Sequence, residues 1–306
     1  MTRASEREPR QSGRGDDIYP VQSATGQTAS GSERNDFYRR VLETLVAADA
    51  PFLVGGAFAF AHFTGIERHT KDLDIFVRRR DLDAVLDILA EAGCATEHTF
   101  AHWLSKAYCG DEFIDVIFSS GNGLATVDDE WFDHAIEAEI LGQPVRLCPV
   151  EESVWSKSFV MERERNDGAD VAHLLLHSLE RLDWDRLLRR FGEHWPVLLA
   201  HLTIFAYAYP SEAHRMPEWV WTLLHERALR ELRTPTENAR ICRGTFLSRE
   251  QYLVDLEEWG FRDPRLRPSG PMTATEIVEW TDAIDQDDKH AAEETSHEVD
   301  TLDRVD

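Results

Sequence analysis

Hydrophobic positions along the first half of the chain change period several times, and each change marks an element. Phe37, Val41, Leu42, Leu45 and Val46 recur at helical spacing behind Asn35, a residue suited to capping, and predict a helix. Pro-Phe-Leu-Val-Gly-Gly at 51–56 predicts a short buried strand closed by paired glycines, and 57–63 a short helix. Leu73–Val77 predicts a strand. The run from Asp81 to Ala92 predicts an amphipathic helix with Leu82, Val85, Leu86 and Leu89 on one face. Residues 105–118 predict two strands around a Gly110-Asp111 turn, and 138–149 a hairpin turning at Gly142-Gln143.

From Val150 the period becomes helical throughout. The spacing predicts helices at 151–163, 167–180, 183–192, 195–209, 217–232, 248–259 and 273–284, with the aromatic residues of 195–221 in their core. The fold class read from this pattern is α/β: a small mixed β-sheet domain at 34–150, then an α-helical domain at 151–262. Residues 1–33 carry little apolar material and predict a disordered tail whose arginines (Arg3, Arg7, Arg10, Arg14) are solvated. Residues 263–306 predict an extended, acidic tail with one short helix.

Composition narrows the function. Apolar residues make up 42% of the 306, with nine Trp, enough for a sizeable core. No run of about 18 uninterrupted apolar residues predicts a membrane span, and the polar start has no signal-like apolar segment. A cytoplasmic protein without a membrane partner is expected. The formal net charge of -24 disfavours broad binding to DNA or anionic lipid. Cys94, Cys109, Cys148 and Cys242 show no metal-type spacing and read as free thiols. Only four lysines (Lys71, Lys106, Lys157, Lys289) stand against 29 arginines, so a lysine beside a motif attracts notice.

The candidate chemistry begins in His-Thr-Lys-Asp-Leu-Asp-Ile-Phe-Val, residues 69–77, where Asp72 and Asp74 open an apolar run. Side chains alternate along a strand, so both carboxylates share one face. Asp-x-Asp is common by chance. A second anomaly strengthens it: Asp115 interrupts the apolar strand Phe-Ile-Asp-Val-Ile-Phe, where a lone carboxylate costs several kcal/mol unless paired or metal-bound. Three carboxylates on neighbouring strands suit two Mg²⁺ ions, which favour hard oxygen ligands. Gly55-Gly56 after a strand and before a helix allows close backbone approach to phosphate. His173 and His177 have the spacing of a zinc pair but no third ligand, and read as polar lining beside Asp170.

These residues resemble a family. A Gly-Gly pair, Asp-x-Asp sixteen residues later and a third Asp on a later strand resemble the DNA polymerase beta superfamily of nucleotidyltransferases. Gly55, Gly56, Thr70, Asp72, Asp74 and Asp115 match its signature. The segment 150–175, with Lys157, Arg163, Arg165 and Asp170, resembles AbiEii-type and related stand-alone bacterial members. The resemblance covers about residues 50 to 180. Many relatives carry Gly-Ser where this chain has Gly55-Gly56, and Gly56 lacks the hydroxyl that helps hold phosphate. The resemblance implies Asp72, Asp74 and Asp115 as metal ligands, and these with Lys157 as the catalytic set. Gly55, Gly56, Thr70, Lys157 and Asp170 would hold the nucleotide. It implies an NTP such as ATP as co-substrate and a hydroxyl acceptor: a small molecule, a tRNA or a protein. The subgroup implies an antitoxin partner. The alternative is a non-catalytic protein that keeps the fold and binds a nucleotide or partner; three intact carboxylates speak for the enzyme.

Overall fold

The computed structural model describes residues 29–68, 70, 72–110, 112–233 and 240–283. Most of the two predicted tails, with His69, Lys71, Asp111 and Lys289, lies outside them. The first helix, α1 (Ala29–Ala47), begins well before the predicted cap, so Asn35 is interior. Its apolar stripe is as read: Phe37, Val41, Leu42 and Leu45 are buried.

The sheet elements follow as β1 (Leu53–Val54), α2 (Gly56–Thr64), β2 (Asp74–Phe76), α3 (Leu82–Glu91), β3 (Ala95–Phe100), β4 (Leu104–Cys109) and β5 (Glu112–Ile117). Then come α4 (Asp129–Asp133), β6 (Ile136–Ile140) and β7 (Gln143–Leu147). The seven strands form one mixed sheet in the order β3-β4-β5-β2-β1-β7-β6. β2 runs parallel to β5 and antiparallel to β1, while β1 runs parallel to β7. The helix α3 buries Leu82, Val85, Leu86 and Leu89, as its period predicts.

Two elements escaped the sequence reading. β3 (Ala-Thr-Glu-His-Thr-Phe) is a largely exposed edge strand without an alternating apolar face, so its pattern carries no strand signal. α4 is a single short turn that buries Trp131 and Phe132. The β6–β7 turn is centred on Leu141 and Gly142, both at positive φ, one residue earlier than predicted. Positive φ at both central positions is what a tight two-residue hairpin requires.

The missed edge strand also overturns the reading of four free thiols. β3 pairs antiparallel with β4 with Ala95 opposite Tyr108, which brings Cys94 opposite Cys109, and these two form a disulfide. Cys148 and Cys242 are free and buried.

The helical half comprises α5 (Val150–Lys157), α6 (Gly168–Ser178), α7 (Trp184–Phe191), α8 (Trp195–Ala208), α9 (Glu218–Arg233), α10 (Leu253–Glu257) and α11 (Ala274–Asp282). α5 stops six residues before the predicted end. The Ser158 carbonyl accepts a 2.9 Å bond from His201 Nε2 instead of continuing the helical ladder. The chain then doubles back through a Met161–Asn166 bridge, and Asp167 N donates to the Val160 carbonyl. α10 is likewise shorter than the 248–259 predicted. The aromatic helices are only partly core. Trp195, Leu198, Leu202 and Phe205 are buried, but Ile204, Tyr207 and Trp219 are exposed.

Candidate active site

The parallel register of β2 on β5 sets Asp74 directly beside Asp115. Asp115 N donates to the Leu73 carbonyl at 3.0 Å, locking that register at its first rung. Asp72 precedes β2 by two residues and returns to the same face. The three carboxylates each bring an oxygen within 4.8 Å of the others. Burial, then the charges of Asp72 and Asp115, push the Asp74 carboxyl up to about 7. Burial also raises Asp115, against the pull of Lys106.

Three carboxylates held this close fit a divalent cation: all donors are hard oxygens, and Asp74 and Asp115 are destabilised as anions without one. Among the described residues, no side chain hydrogen-bonds the Asp74 carboxylate. Asp72 is steadied by Thr70, whose hydroxyl lies 2.7 Å from Asp72 Oδ1. Thr70 therefore faces a carboxylate; the resemblance implies it among the residues that hold the nucleotide.

Gly55 and Gly56 explain the open side of this cluster. Gly55 caps α2 and donates its N–H to the Asp74 carbonyl at 3.0 Å. Gly56 sits at φ +51, and a Cβ there would fall 1.7 Å from Asp74 Oδ2. So the second glycine is demanded twice, by backbone conformation and by contact with the carboxylate. A serine in its place would collide with Asp74 in this arrangement. The N-terminal end of α2 thus points its positive dipole end at the acidic cluster.

A second cluster comes from the helical half. Lys157 closes α5, and its Nζ donates to Asp167 Oδ2 and Asp170 Oδ2, both at 2.8 Å. Arg68 Nη2 stands 2.6 Å from Asp170 Oδ1, with its guanidinium over the Phe60 ring. Arg165 holds Asp167 through two bonds of 3.0 and 3.1 Å. Burial raises both aspartates, but Arg165 with Lys157 at Asp167, and Arg68 with Lys157 at Asp170, outweigh it and hold them below the usual carboxylate range. Three cations against two anions leave this cluster positive, and Lys157 and Arg165 act on Asp74 through their charge.

The structure therefore brings Asp72, Asp74, Asp115, Gly55 and Gly56 together, with Lys157 and Asp170 in a facing cationic cluster. Lys157 is half-buried and held between two carboxylates. Asp167 and Lys106 were missed. Lys106 Nζ lies 3.3 Å from Asp115 Oδ1. The signal was present, since an antiparallel pair turning at residues 110–111 places 106 opposite 115. His173 packs between Phe60 and Tyr209, and among the described residues no histidine joins a group placed to hold a metal.

A family model for aminoglycoside-2''-adenylyltransferase matches residues 38–113. That span includes Gly55, Gly56, Asp72 and Asp74 and stops two residues short of Asp115. No curated protein matches the chain in sequence. Among solved structures, the antibiotic-resistance factor ANT(2'')-Ia is 18% identical, with 56% of this chain and 97% of that one covered and a TM-score of 0.41. The lincosamide adenylyltransferase LnuA is 15% identical over 46% and 95%, at 0.34. JHP933 from Helicobacter pylori is 13% identical over 68% and 100%, at 0.37. By its family-model match and its glycine and carboxylate signature on a mixed sheet, the chain is similar to the polymerase-beta-like nucleotidyltransferases, a class of enzymes.

Proposed function

We propose that the protein transfers a nucleoside monophosphate from an NTP, ATP in the first instance, to a hydroxyl of an acceptor, with two Mg²⁺ ions. The observation that carries this reading is the convergence of Asp72, Asp74 and Asp115 within 4.8 Å beside a glycine-opened helix terminus. Asp72 and Asp74 would hold both ions and Asp115 one. Bound there, the ions would supply charge neutralisation for the attacking and leaving oxygens.

The chain's own residues do the rest. Asp115, whose affinity for a proton burial has raised, takes the proton of the attacking hydroxyl. The acceptor oxygen bonds to the α-phosphorus as the bond to the bridging oxygen breaks, and pyrophosphate leaves. Lys157, with Arg68 and Arg165 behind it, presents the positive cluster that steadies the triphosphate. The backbone at Gly55 and Gly56 brings the α2 terminus against phosphate. Asp170 fixes the Lys157 ammonium.

The family-model match and the net charge of -24 both favour a small, cationic, hydroxyl-bearing acceptor of the aminoglycoside kind. The Lys157 and Asp170 segment favours a second reading, transfer to a tRNA by a toxin that an antitoxin restrains. Purified protein incubated with Mg²⁺, labelled NTPs and both acceptor classes distinguishes them. Acceptor-dependent pyrophosphate release that disappears in Asp72→Asn is expected. Its absence with every NTP and acceptor of both classes sinks the transferase reading.

A further inference from the structure

Of the two described lysines of this arginine-rich chain, Lys106 pairs with Asp115 and Lys157 acts on Asp74 through its charge. Lys157 is tied down by two aspartates. Lys106 is not. Its ammonium stands 3.3 Å from Asp115 Oδ1, a longer approach than the 2.8 Å bonds of Lys157, and among the described residues Oδ1 has no closer hydrogen-bond partner. On its other side the Phe113 ring centroid is 4.2 Å away. The ammonium thus has two resting places, a carboxylate and an aromatic face, and a flexible four-carbon stem to move between them. Both groups are largely shielded: the Lys106 side chain is 22% exposed and that of Asp115 14%.

Elsewhere the chain treats its buried carboxylates differently. Glu151, Glu152 and Glu162 are each gripped by an arginine through aligned hydrogen bonds. A guanidinium fork at position 106 would lock Asp115 in the same way. A lysine neutralises it and still lets go.

We propose that Lys106 is a built-in competitor for the divalent cation at Asp115. This rests on the metal-dependent reading of the site. Without nucleotide, Asp72 and Asp74 would hold the cation, and Asp115 would join them only as the Lys106 ammonium moves off toward Phe113. Lys106 is therefore a positioning residue that sets when the third carboxylate is available.

The test is Mn²⁺ titration of the full chain without nucleotide, followed by calorimetry and by the loss of free-ion paramagnetic signal. Lys106→Met is expected to bind Mn²⁺ about tenfold tighter than wild type, the scale on which one neighbouring opposite charge biases a carboxylate. Lys106→Arg is expected to bind no tighter than wild type. In an Asp115→Asn background, Lys106→Met is expected to change nothing. Unchanged or weaker binding in folded Lys106→Met overturns the proposal, as does tightening that persists without Asp115. Lys106→Gln gives the same readout if the methionine variant does not fold. No saturable Mn²⁺ binding in any variant overturns the metal reading as well. Expected ordering of affinities without transfer to any acceptor overturns the transferase reading alone.

Discussion

A buried pair of carboxylates and a half-buried triad are treated in opposite ways in this chain. Where α5 meets α7, Glu151 and Glu152 are almost fully buried, and Arg186 answers them with bonds of 2.9 and 2.7 Å to Glu152 and a further bond to Glu151. Arg190 adds 3.0 Å to Glu152 and reaches Asp128 with both terminal nitrogens, and the Asp183 N–H closes Glu151 at 2.7 Å. At the sheet, Asp72, Asp74 and Asp115 crowd within 4.8 Å with one loosely held lysine as their ion-pair partner among the described residues. Both groups cost desolvation. The first is compensated inside the chain and fastens two helices. The second is left short of positive charge among the described residues, which is what a site for an external cation requires.

Reversing one member of each group gives the largest contrast. Arg186→Leu leaves Glu152 to Arg190 and Glu151 to the Asp183 N–H, with no guanidinium on Glu151, and is expected to cost about 3–5 kcal/mol of stability. Asp74→Asn removes one of three repelling charges and is expected to leave metal-free stability unchanged or raised. Transfer should nonetheless fall at least about a hundredfold, since even outer-sphere partners of a metal are worth 10–100-fold. Chemical denaturation and turnover of the two variants check this. If Asp74→Asn unfolds as readily as Arg186→Leu, the triad is structural and the contrast fails.

Lys157 sits between these cases, because its aspartates are also shared with Arg68 and Arg165. Lys157→Ala is expected to cost about 1.5–3 kcal/mol, the range of charge-assisted hydrogen bonds, and to raise the KM for NTP more than it lowers kcat. Lys157→Arg should rescue poorly, because a planar fork does not fit between Asp167 Oδ2 and Asp170 Oδ2 as a compact ammonium does. Wild-type kinetics in Lys157→Ala would remove this residue from the nucleotide site.

The glycines of α2 refine the contrast further. Gly65, at the C-cap, has φ +70 and open space around its Cβ position, whereas Gly56 has φ +51 and Asp74 at 1.7 Å. Gly65→Ala and Gly56→Ala should each lose about 1–2 kcal/mol to backbone strain. Only Gly56→Ala should also weaken Mn²⁺ binding, because it displaces Asp74. Equal metal affinity in the two variants would separate Gly56 from the site.

Much of this site was legible because it follows from short-range rules. Alternation put Asp72 and Asp74 on one face, and the misfit of Asp115 in an apolar strand marked it. The positions of Gly55 and Gly56 followed from a strand ending before a helix. What was not legible depended on pairing between segments. β3 lacks an apolar face, so neither the edge strand nor the Cys94–Cys109 disulfide it aligns was predicted. The end of α5 is set by His201, 43 residues away, and that end is what returns Asp167 to Lys157. The close approach of Gly56 to Asp74 depends on the pairing of β1 with β2, since no sequence rule tells a turn glycine from one pressed against a carboxylate.

The smallest expected effect is also the most specific to the triad. Asp74 carries its proton up to about 7 in the folded protein, above the ordinary carboxylate value of 3.8. The folded state then binds more protons than the unfolded state between those limits, so stability falls as pH rises through about 4 to 7 and levels off above. This is the reverse of a salt-bridged carboxylate, whose stabilisation is lost on acidification. A divalent cation removes the penalty by taking the proton's place. Mg²⁺ should therefore raise the Tm by a few degrees at pH 8 and by much less at pH 5, where it must displace a proton from Asp74. Asp74→Asn should flatten both the pH slope and the difference between the two Mg²⁺ effects. Arg186→Leu should keep that difference, because its network lies outside the triad. A Mg²⁺ effect that is equal at the two pH values in wild type would mean that Asp74 is not the carboxylate the cation relieves.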